Sequence, residues 1–324
     1  PAAAMRLLEL ARSHPKDPVA YESLVWILQN TELGPAGLKP YAEAIELLAT
    51  QHVANADNAR LLEELAQSPI LASERLLAAL AEKHPSILVR GRAGYHHGRF
   101  LKNYCSTVEL IRVNPKMAKS IEDFIGSELT TQLKETDTAK MLAKADAVFT
   151  RVQKEYPLIA HKKMNLSQAI ERELFELRNL WPGKTAPDIE GESNEGKKIK
   201  LSGERGKVVV LFFWGTWCPH CMNMIPHTRA LQKRYEGQPF TILGVNSDAD
   251  RDKLKLASAK HGIAFPSFFD GGNSEGPIAT RWNIQGWPTI YVIDPAGVIR
   301  YRHVREEVLD RVVEELVKEA TGKR

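Results

Sequence analysis

Two of the three cysteines in the chain stand close together, in the segment Cys218-Pro219-His220-Cys221. The segment follows a continuous apolar run, Val208–Trp214, and opens a stretch with helical spacing, so a buried strand gives way to a helix there. Unpaired amides and the positive end of a helix dipole favour a thiolate at such a position. Pro219 fits the first helical turn because its missing N–H costs nothing, and His220 adds positive charge when protonated. The pattern predicts a redox-active dithiol with its thiolate on Cys218.

Other uses of a Cys-x-x-Cys pair compete with redox chemistry. A c-type haem requires His directly after the second cysteine, and Met222 occupies that position. A zinc site requires a second ligand pair, whereas His227 and His261 are each isolated. A structural disulfide is poorly placed at a strand-to-helix corner beside a tryptophan. We therefore predict redox function that needs neither a metal nor an organic cofactor, and we expect the third cysteine, Cys105, to be a small buried apolar residue.

The elements that must hold this pair belong to the second part of the chain, where the composition changes after Trp181. β-Branched residues and turn signals become frequent there. The predicted strands are 199–201, 207–214, 241–245, 289–293 and 298–301, and the predicted helices are 219–235, 251–261 and 306–319. Strands that alternate with helices and end in a hairpin and a last helix predict an α/β fold over residues 183–324.

Residues 1–180 have the spacing and composition of helices almost throughout. The predicted helices include 5–14, 19–30, 41–52, 73–84 and 138–156. A helix that closes on His or Tyr, often followed by Pro, recurs at intervals close to one or two helix hairpins. The pattern predicts an all-α domain and leaves open a tetratricopeptide-like repeat and an irregular bundle. Within it, we expect the segment His96-His97 between two glycines to be flexible or interhelical, because no partner ligands for a metal stand nearby in the sequence.

The bulk composition sets outer limits on function. A chain of 324 residues exceeds the usual size of one core, so two domains are expected. A net charge of +4 with both signs interspersed, and no basic tract with aromatics, argues against nucleic-acid binding. No apolar run approaches the ~20 residues of a membrane span. Because the sequence starts at Pro1 rather than Met, we expect a processed or shortened chain, in which a missing signal peptide says nothing about the compartment.

The motif and its surroundings resemble a known superfamily. The segment 213–221, which reads Phe-Trp-Gly-Thr-Trp-Cys-Pro-His-Cys, is followed by Pro226 and later by Gly286-Trp-Pro-Thr289. This combination resembles the thioredoxin superfamily, and most closely the TlpA-like or redoxin branch of extracytoplasmic thiol–disulfide oxidoreductases. The resemblance covers residues 183–324 and implies a thioredoxin fold. It also implies a periplasmic or membrane-anchored location, and it leaves membrane anchoring of a longer gene product open.

The resemblance implies a role for each residue of the site. Cys218 is the exposed attacking thiol, and Cys221 is the buried resolving thiol. Trp217 packs beside them, and Pro288 is a cis-proline that faces the cysteines. Trp287 precedes it, pairs through its backbone with an extended client peptide, and is larger than the usual residue there, so either it restricts the client groove or it is a core residue.

Two departures from the family pattern concern proton transfer. Thioredoxins usually carry a buried acid on the strand before the motif, where this chain has Phe212. TlpA-like reductases often carry Glu three residues after the second cysteine, where this chain has Met224. An acid at either place exchanges the proton of the buried cysteine. We hypothesise that His220 and water take over this role and that the site is more oxidising than a typical thioredoxin. Strongly oxidising periplasmic oxidases share the Cys-Pro-His-Cys sequence.

Three functions follow from these expectations. The first is an enzyme that exchanges disulfides with protein thiols, with a helical half that positions a protein partner. The second is a thiol peroxidase, although peroxidases usually place Thr three residues before the reactive cysteine, where Gly215 stands, and Thr216 comes one step later. The third is a helical interaction protein whose thioredoxin-like domain is a redox sensor without turnover.

Overall fold

The computed structural model describes residues 2–322, so Pro1, on which the expectation of a processed chain rests, lies outside the described residues. Two compact units make up the chain: the first ends at Glu173 and the second begins at Leu174. The composition changes slightly later, at Trp181. No helix within residues 2–322 combines the length and the apolar character that crossing a membrane requires.

The first unit is built from helices, as its composition predicted. They are α1 Ala2–Ser13, α2 Pro18–Asn30, α3 Pro35–Gln51, α4 Leu62–Gln67, α5 Leu71–Lys83, α6 Ile87–Val113, α7 Pro115–Ile125, α8 Ser127–Glu135, α9 Thr138–Glu155 and the start of α10 Leu166–Asn179, with a 3-10 turn at Ala56–Leu61 and a short hairpin of β1 Ala160–His161 and β2 Met164–Asn165. Side-chain caps from Asp17, Asn114 and Asp137 begin α2, α7 and α9. Helix lengths run from 6 residues in α4 to 27 in α6, and a tetratricopeptide-like repeat stays a prediction.

The expectation for His96-His97 is wrong, because both residues lie in the middle of α6 and are buried. Glycines on either side allow α9 to approach the backbone of α6. A Cβ atom on Gly94 would lie 2.5 Å from Cγ2 of Val152, and one on Gly98 would lie 2.6 Å from Cε1 of Phe149. These glycines lower intrinsic helix propensity, but the close packing of the two helices leaves no room for a side chain at either position.

Charged side chains are buried around α6. Nε2 of His97 lies 3.2 Å from Oε1 of Glu74, which also contacts Lys144. Burial alone would raise the pKa of Glu74, but hydrogen bonds from His97 and Lys144 lower it to about 2. Burial lowers the pKa of His96 to about 4, and the Arg99 guanidinium contributes in the same direction. The imidazole of His96 is therefore neutral at physiological pH.

The second unit is an α/β fold around a mixed sheet, which confirms the predicted thioredoxin-like class. Its elements after α10 are β3 Glu190–Glu192, β4 Lys198–Lys200, a 3-10 turn at Leu201–Glu204, β5 Val208–Trp214, α11 Pro219–Arg234, β6 Phe240–Asn246, α12 Arg251–His261, β7 Ser267–Phe269, a 3-10 turn at Asn273–Glu275, α13 Pro277–Arg281, β8 Thr289–Ile293, β9 Ile299–Arg302 and α14 Glu306–Thr321. The strand order is β7-β6-β5-β8-β9, in which β5, β6 and β7 are parallel, β8 is antiparallel to β5, and β9 is antiparallel to β8. Strands β3 and β4 form a separate hairpin.

Strand β5 is central and buried along its whole length. Side chains of one face, among them Phe213, pack with Trp282 and Tyr291 in the core cluster of this unit. A buried ion pair tethers the end of α10 to the same unit: Nη1 of Arg302 lies 2.9 Å from Oε1 of Glu176. The neighbouring strands on both sides therefore hold β5 in place, and the loop after β5 starts from a fixed position.

The two edge strands of the sheet are short and carry extra backbone pairing. Thr185 forms an antiparallel bridge to Val298, directly before β9. At the other edge, Ser193 bridges Phe268 of β7. The segments that precede β5 in sequence thus lie along both edges of the sheet.

Candidate active site

The cysteine pair lies where β5 ends and α11 begins, as predicted. Cys218 and Cys221 form a disulfide with their Cα atoms 5.2 Å apart. Cys218 is the N-cap of α11, and its Sγ accepts a hydrogen bond from the backbone N–H of Cys221 at 3.2 Å. Pro219 occupies the first helical turn, and His220 is exposed. A cap acceptor that carries negative charge interacts favourably with this first turn, so the geometry favours a thiolate on Cys218 when the pair is reduced.

The two sulfur-bearing residues differ in access to solvent. The exposure expected for Cys218 is not observed in the disulfide, where this residue is buried and only 4% exposed, whereas Cys221 has no exposed surface, as expected. Cys105 is also fully buried, as expected, with its Sγ 3.8 Å from the carbonyl oxygen of Thr138. Of the two cysteines, only Cys218 can therefore be reached from solvent.

A buried carboxylate holds the loop before Cys218. Asp248, which is 6% exposed, accepts hydrogen bonds from the backbone N–H of Thr216 at 3.0 and 3.2 Å and from the Thr216 hydroxyl at 2.6 Å. It also accepts one from Nδ2 of Asn246 at 2.7 Å. The turn is closed by a hydrogen bond from the Cys218 N–H to the Gly215 carbonyl at 3.1 Å. The approach to the helix is thus fixed from the end of the neighbouring parallel strand β6.

A second loop reaches the same end of the sheet. The peptide bond between Trp287 and Pro288 is cis, and the next residue, Thr289, pairs with Phe213 near the end of β5. Pro288 is buried, and its carbonyl oxygen accepts a hydrogen bond from Nη2 of Arg305 at 2.8 Å. This register places Pro288 at the edge of the sheet from which the Cys218 loop leaves.

Two indole rings stand between these loops. The rings of Trp217, which is 45% exposed, and Trp287 have centroids 5.6 Å apart and are tilted by 59°. Nε1 of Trp287 donates a hydrogen bond to Oγ of Ser247 at 3.1 Å, which fixes the orientation of that ring. Trp217 thus packs against Trp287, and the two rings form a half-exposed aromatic wall. The packing of Trp217 beside the cysteines stays a prediction.

Other residues singled out in the sequence stand apart from this arrangement. His227 faces α14, with Nε2 2.8 Å from Oδ1 of Asp310. Phe212, at the position of the family's buried acid, stacks on Trp214 with ring centroids 6.3 Å apart. Met224 is half-buried on α11. In residues 2–322, no group of three or more His, Cys, Asp or Glu side chains is arranged to hold a metal ion.

Sequence reasoning missed the segment Asn246-Ser247-Asp248, which contacts both loops of the site. A usable signal was present, because these polar residues directly follow the buried parallel strand β6. In such sheets, functional groups gather beyond the carboxyl ends of the parallel strands. The strand pairing that brings Asp248 to Thr216 is not readable from either segment alone.

Comparisons with known proteins agree with this geometry. A sequence model of the AhpC/TSA family matches residues 182–302. The chain is 31% identical to the thiol–disulfide oxidoreductase ResA of Bacillus thuringiensis over 139 residues, which are 43% of this chain and 78% of that relative. It is 28% identical to the thioredoxin-like protein YneN of Bacillus subtilis over 150 residues, 45% of this chain and 84% of that relative.

Among solved structures, the thioredoxin domain of a thiol–disulfide oxidoreductase from Bacteroides vulgatus is similar, with 26% identity and a TM-score of 0.40. The match covers 43% of this chain and 99% of that domain. The 31% identity to ResA over 78% of that relative, together with the family model, assigns the second unit to a family. The chain therefore belongs, through its C-terminal thioredoxin-fold unit, to the thiol–disulfide oxidoreductases of the AhpC/TSA family.

Proposed function

We propose that the Cys218–Cys221 pair exchanges disulfides with protein thiols through a mixed disulfide on Cys218. The observation that carries this proposal is the asymmetry of the pair. Cys218 caps α11 and keeps some exposure, whereas Cys221 has no exposed surface. The attacking sulfur must be both ionised and accessible, and the resolving sulfur needs only to reach it.

The exchange balances as follows. The Cys218 thiolate attacks one sulfur of a client disulfide, a bond forms between these sulfurs, and the other client sulfur leaves as a thiolate. The Cys221 thiolate then attacks Cys218, and the second client sulfur leaves. Two electrons have passed to the client, and the Cys218–Cys221 disulfide remains. The reverse sequence oxidises a client dithiol, and the reduction potential of the pair decides which direction prevails.

We propose that the client lies as an extended peptide along the loop at Trp287 and Pro288. Backbone groups beside a buried proline, next to the wall of Trp217 and Trp287, support this location. An indole wall supplies a large apolar surface with little loss of side-chain entropy. We therefore expect clients with an apolar or aromatic residue close to the reacting cysteine to bind most tightly.

We further propose that the pair acts as an oxidant. His220 is exposed in the first turn of α11, where its protonated form stabilises a thiolate and hence the reduced pair. The test is equilibration of the full chain in graded glutathione buffers, followed by alkylation and mass measurement. We expect a potential between about −120 and about −180 mV, and a value near −270 mV would instead mark a reductant.

The exchange reaction is tested with a fluorescence-quenched peptide disulfide. Cys218→Ser should abolish turnover, whereas Cys221→Ser should accumulate a mixed disulfide with the client that is visible by mass. Hydrogen peroxide, supplied with a dithiol, serves as the competing substrate. Rapid turnover of peroxide that survives in Cys221→Ser, together with no trapped client, would favour a thiol peroxidase and contradict protein disulfide exchange.

The domain limits 1–180 and 183–324, a partner-binding role of the helical unit and an extracytoplasmic location stay proposals. A fragment that tests whether the second unit acts without the first should begin at Leu174, since Glu176 neutralises the buried Arg302. Full exchange activity in that fragment would contradict the third hypothesis, a helical interaction protein whose thioredoxin-like domain is a redox sensor without turnover. Cell fractionation, with alkylation of the pair in intact cells, tests the location.

A further inference from the structure

The carboxylate of Asp248 lies outside the cysteine motif but accepts several hydrogen bonds. It is buried and accepts hydrogen bonds from the Thr216 N–H, the Thr216 hydroxyl and Nδ2 of Asn246. Its own N–H donates to Oδ1 of Asn246 at 3.1 Å, so the two side chains orient each other. Burying a carboxylate is costly unless such bonds compensate, and two of the three donors to this one belong to Thr216, two positions before Cys218.

The mechanical consequence falls on Cys218. Between Thr216 and Cys218 the chain makes a tight turn, closed by the Cys218 N–H bonded to the Gly215 carbonyl at 3.1 Å. Cys218 leaves this turn with its Sγ 3.2 Å from the N–H of Cys221. The sulfur can accept that bond only while the turn holds the N-cap residue in extended conformation, at φ −98° and ψ 105°.

We propose that Asp248 is a positioning residue for the disulfide exchange: by anchoring Thr216, it holds the turn that sets the Cys218 sulfur against the first turn of α11. This inference rests on the proposed function of Cys218 as the attacking thiol. Asp248 is neither at the position of Phe212 nor at that of Met224, and it acts on the backbone rather than on the proton of the resolving cysteine. Its role is therefore different from that of the two acids that this chain lacks.

The negative charge of the Asp248 carboxylate affects the reactivity of Cys218 in the direction opposite to its anchoring of Thr216. A negative charge near Cys218 disfavours the thiolate, so its removal by charge alone would make Cys218 more reactive. Loss of the anchor would make Cys218 less reactive, because the sulfur would leave the helix end that stabilises its charge. The direction of the change therefore separates positioning from simple electrostatics.

The experiment measures the alkylation rate of Cys218 in the reduced full chain as a function of pH, in a Cys221→Ser background. The variants are Asp248→Ala, Thr216→Val, which removes one donor without changing charge, and Thr216→Ser, which restores it. Asp250→Ala is the matched control. Its carboxylate caps α12 two residues away, accepting from the N–H groups of residues 252 and 253 at 2.9 and 3.1 Å, without touching the Cys218 turn.

We expect the alkylation rate on the acid side of the profile to fall about tenfold in Asp248→Ala, the scale of one lost N-cap interaction, and to fall less in Thr216→Val. Thr216→Ser and Asp250→Ala should match the parent profile. Faster alkylation in Asp248→Ala, or equal changes in Asp248→Ala and Asp250→Ala at equal thermal stability, would overturn the proposal. The readout needs no turnover, so exchange activity that persists in Cys218→Ser would overturn the proposed function separately.

Discussion

Acidification should destabilise the helical unit through the buried imidazole of His96. Burial lowers its pKa to about 4. The positive charges of Arg99, His161 and Lys162 also lower this pKa, whereas the negative charge of Glu63 raises it. The unfolded chain returns to the ordinary value of about 6.5, so it takes up the proton first as the pH falls. The stabilising contribution is complete above about pH 6.5 and is lost as the pH falls to about 4.

The magnitude follows from the two pKa values of His96. Their difference corresponds to about 3.4 kcal/mol in the free energy of unfolding when the loss is complete. Between about pH 8 and about pH 5, the linkage relation gives a loss of about 2 kcal/mol. The side chain is 5% exposed, so solvent screening does not reduce this figure much.

The assay is urea unfolding followed by far-ultraviolet circular dichroism at a series of pH values. His96→Phe removes the titrating group and keeps a ring of similar size, and Nδ1 of His96 has no hydrogen-bond partner among the described residues to lose. The loss of stability over that pH range should shrink by about 2 kcal/mol in this variant. His14→Phe, which replaces an exposed ring in the same unit, serves as the control.

The comparison of pH profiles cancels the titrating groups that do not interact with His96, Glu74 included. If His96→Phe loses as much stability as the parent chain between these pH values, His96 is protonated in the folded protein and the burial argument is wrong. A reduced loss in His14→Phe as well would assign the effect to general charge rather than to the buried ring.

The remaining predictions concern packing, a buried charge and the redox site. Gly98→Ala should cost about 1–3 kcal/mol of unfolding free energy in thermal or urea unfolding, because its Cβ meets a buried phenyl ring, whereas Gly203→Ala, with open space around it, should be neutral. Glu176→Ala should cost about 3–5 kcal/mol in the same assay, because it removes the carboxylate that pairs with the buried Arg302 guanidinium. His220→Phe should lower the reduction potential by about 30 mV in glutathione buffers, since one pKa unit of thiolate stabilisation is lost; an unchanged potential would remove His220 from the tuning of the site.

Local sequence signals were sufficient for helix ends that are set by caps, proline and glycine. Helix α12 was predicted residue for residue, because Asp250 caps its start and Gly262, at φ 62°, ends it. The start of α11 was equally readable from Cys218-Pro219 after an apolar strand. Both boundaries are decided within a few residues of the chain, where caps and proline outweigh distant contacts.

Non-local contacts decided what the sequence did not reveal. The segment in the middle of α6 was expected to be flexible or interhelical. In the structure, Phe149 of α9 packs against Gly98 from about fifty residues later in the chain and makes a side chain there unfavourable. Asp248 was not recognised as part of the site. Its partner Thr216 is 32 positions away and meets it through the parallel pairing of β5 with β6.

The bridges at Thr185 and Ser193 affect how easily another chain can pair with the edges of the sheet. An exposed sheet edge is a template on which an extended peptide adds as a further strand. Short edge strands flanked by the protein's own backbone make these places poor templates. Under the proposed function, backbone pairing with a client is then favoured at the loop before Pro288, beside the cysteines, and strand addition along the edges of the sheet is disfavoured.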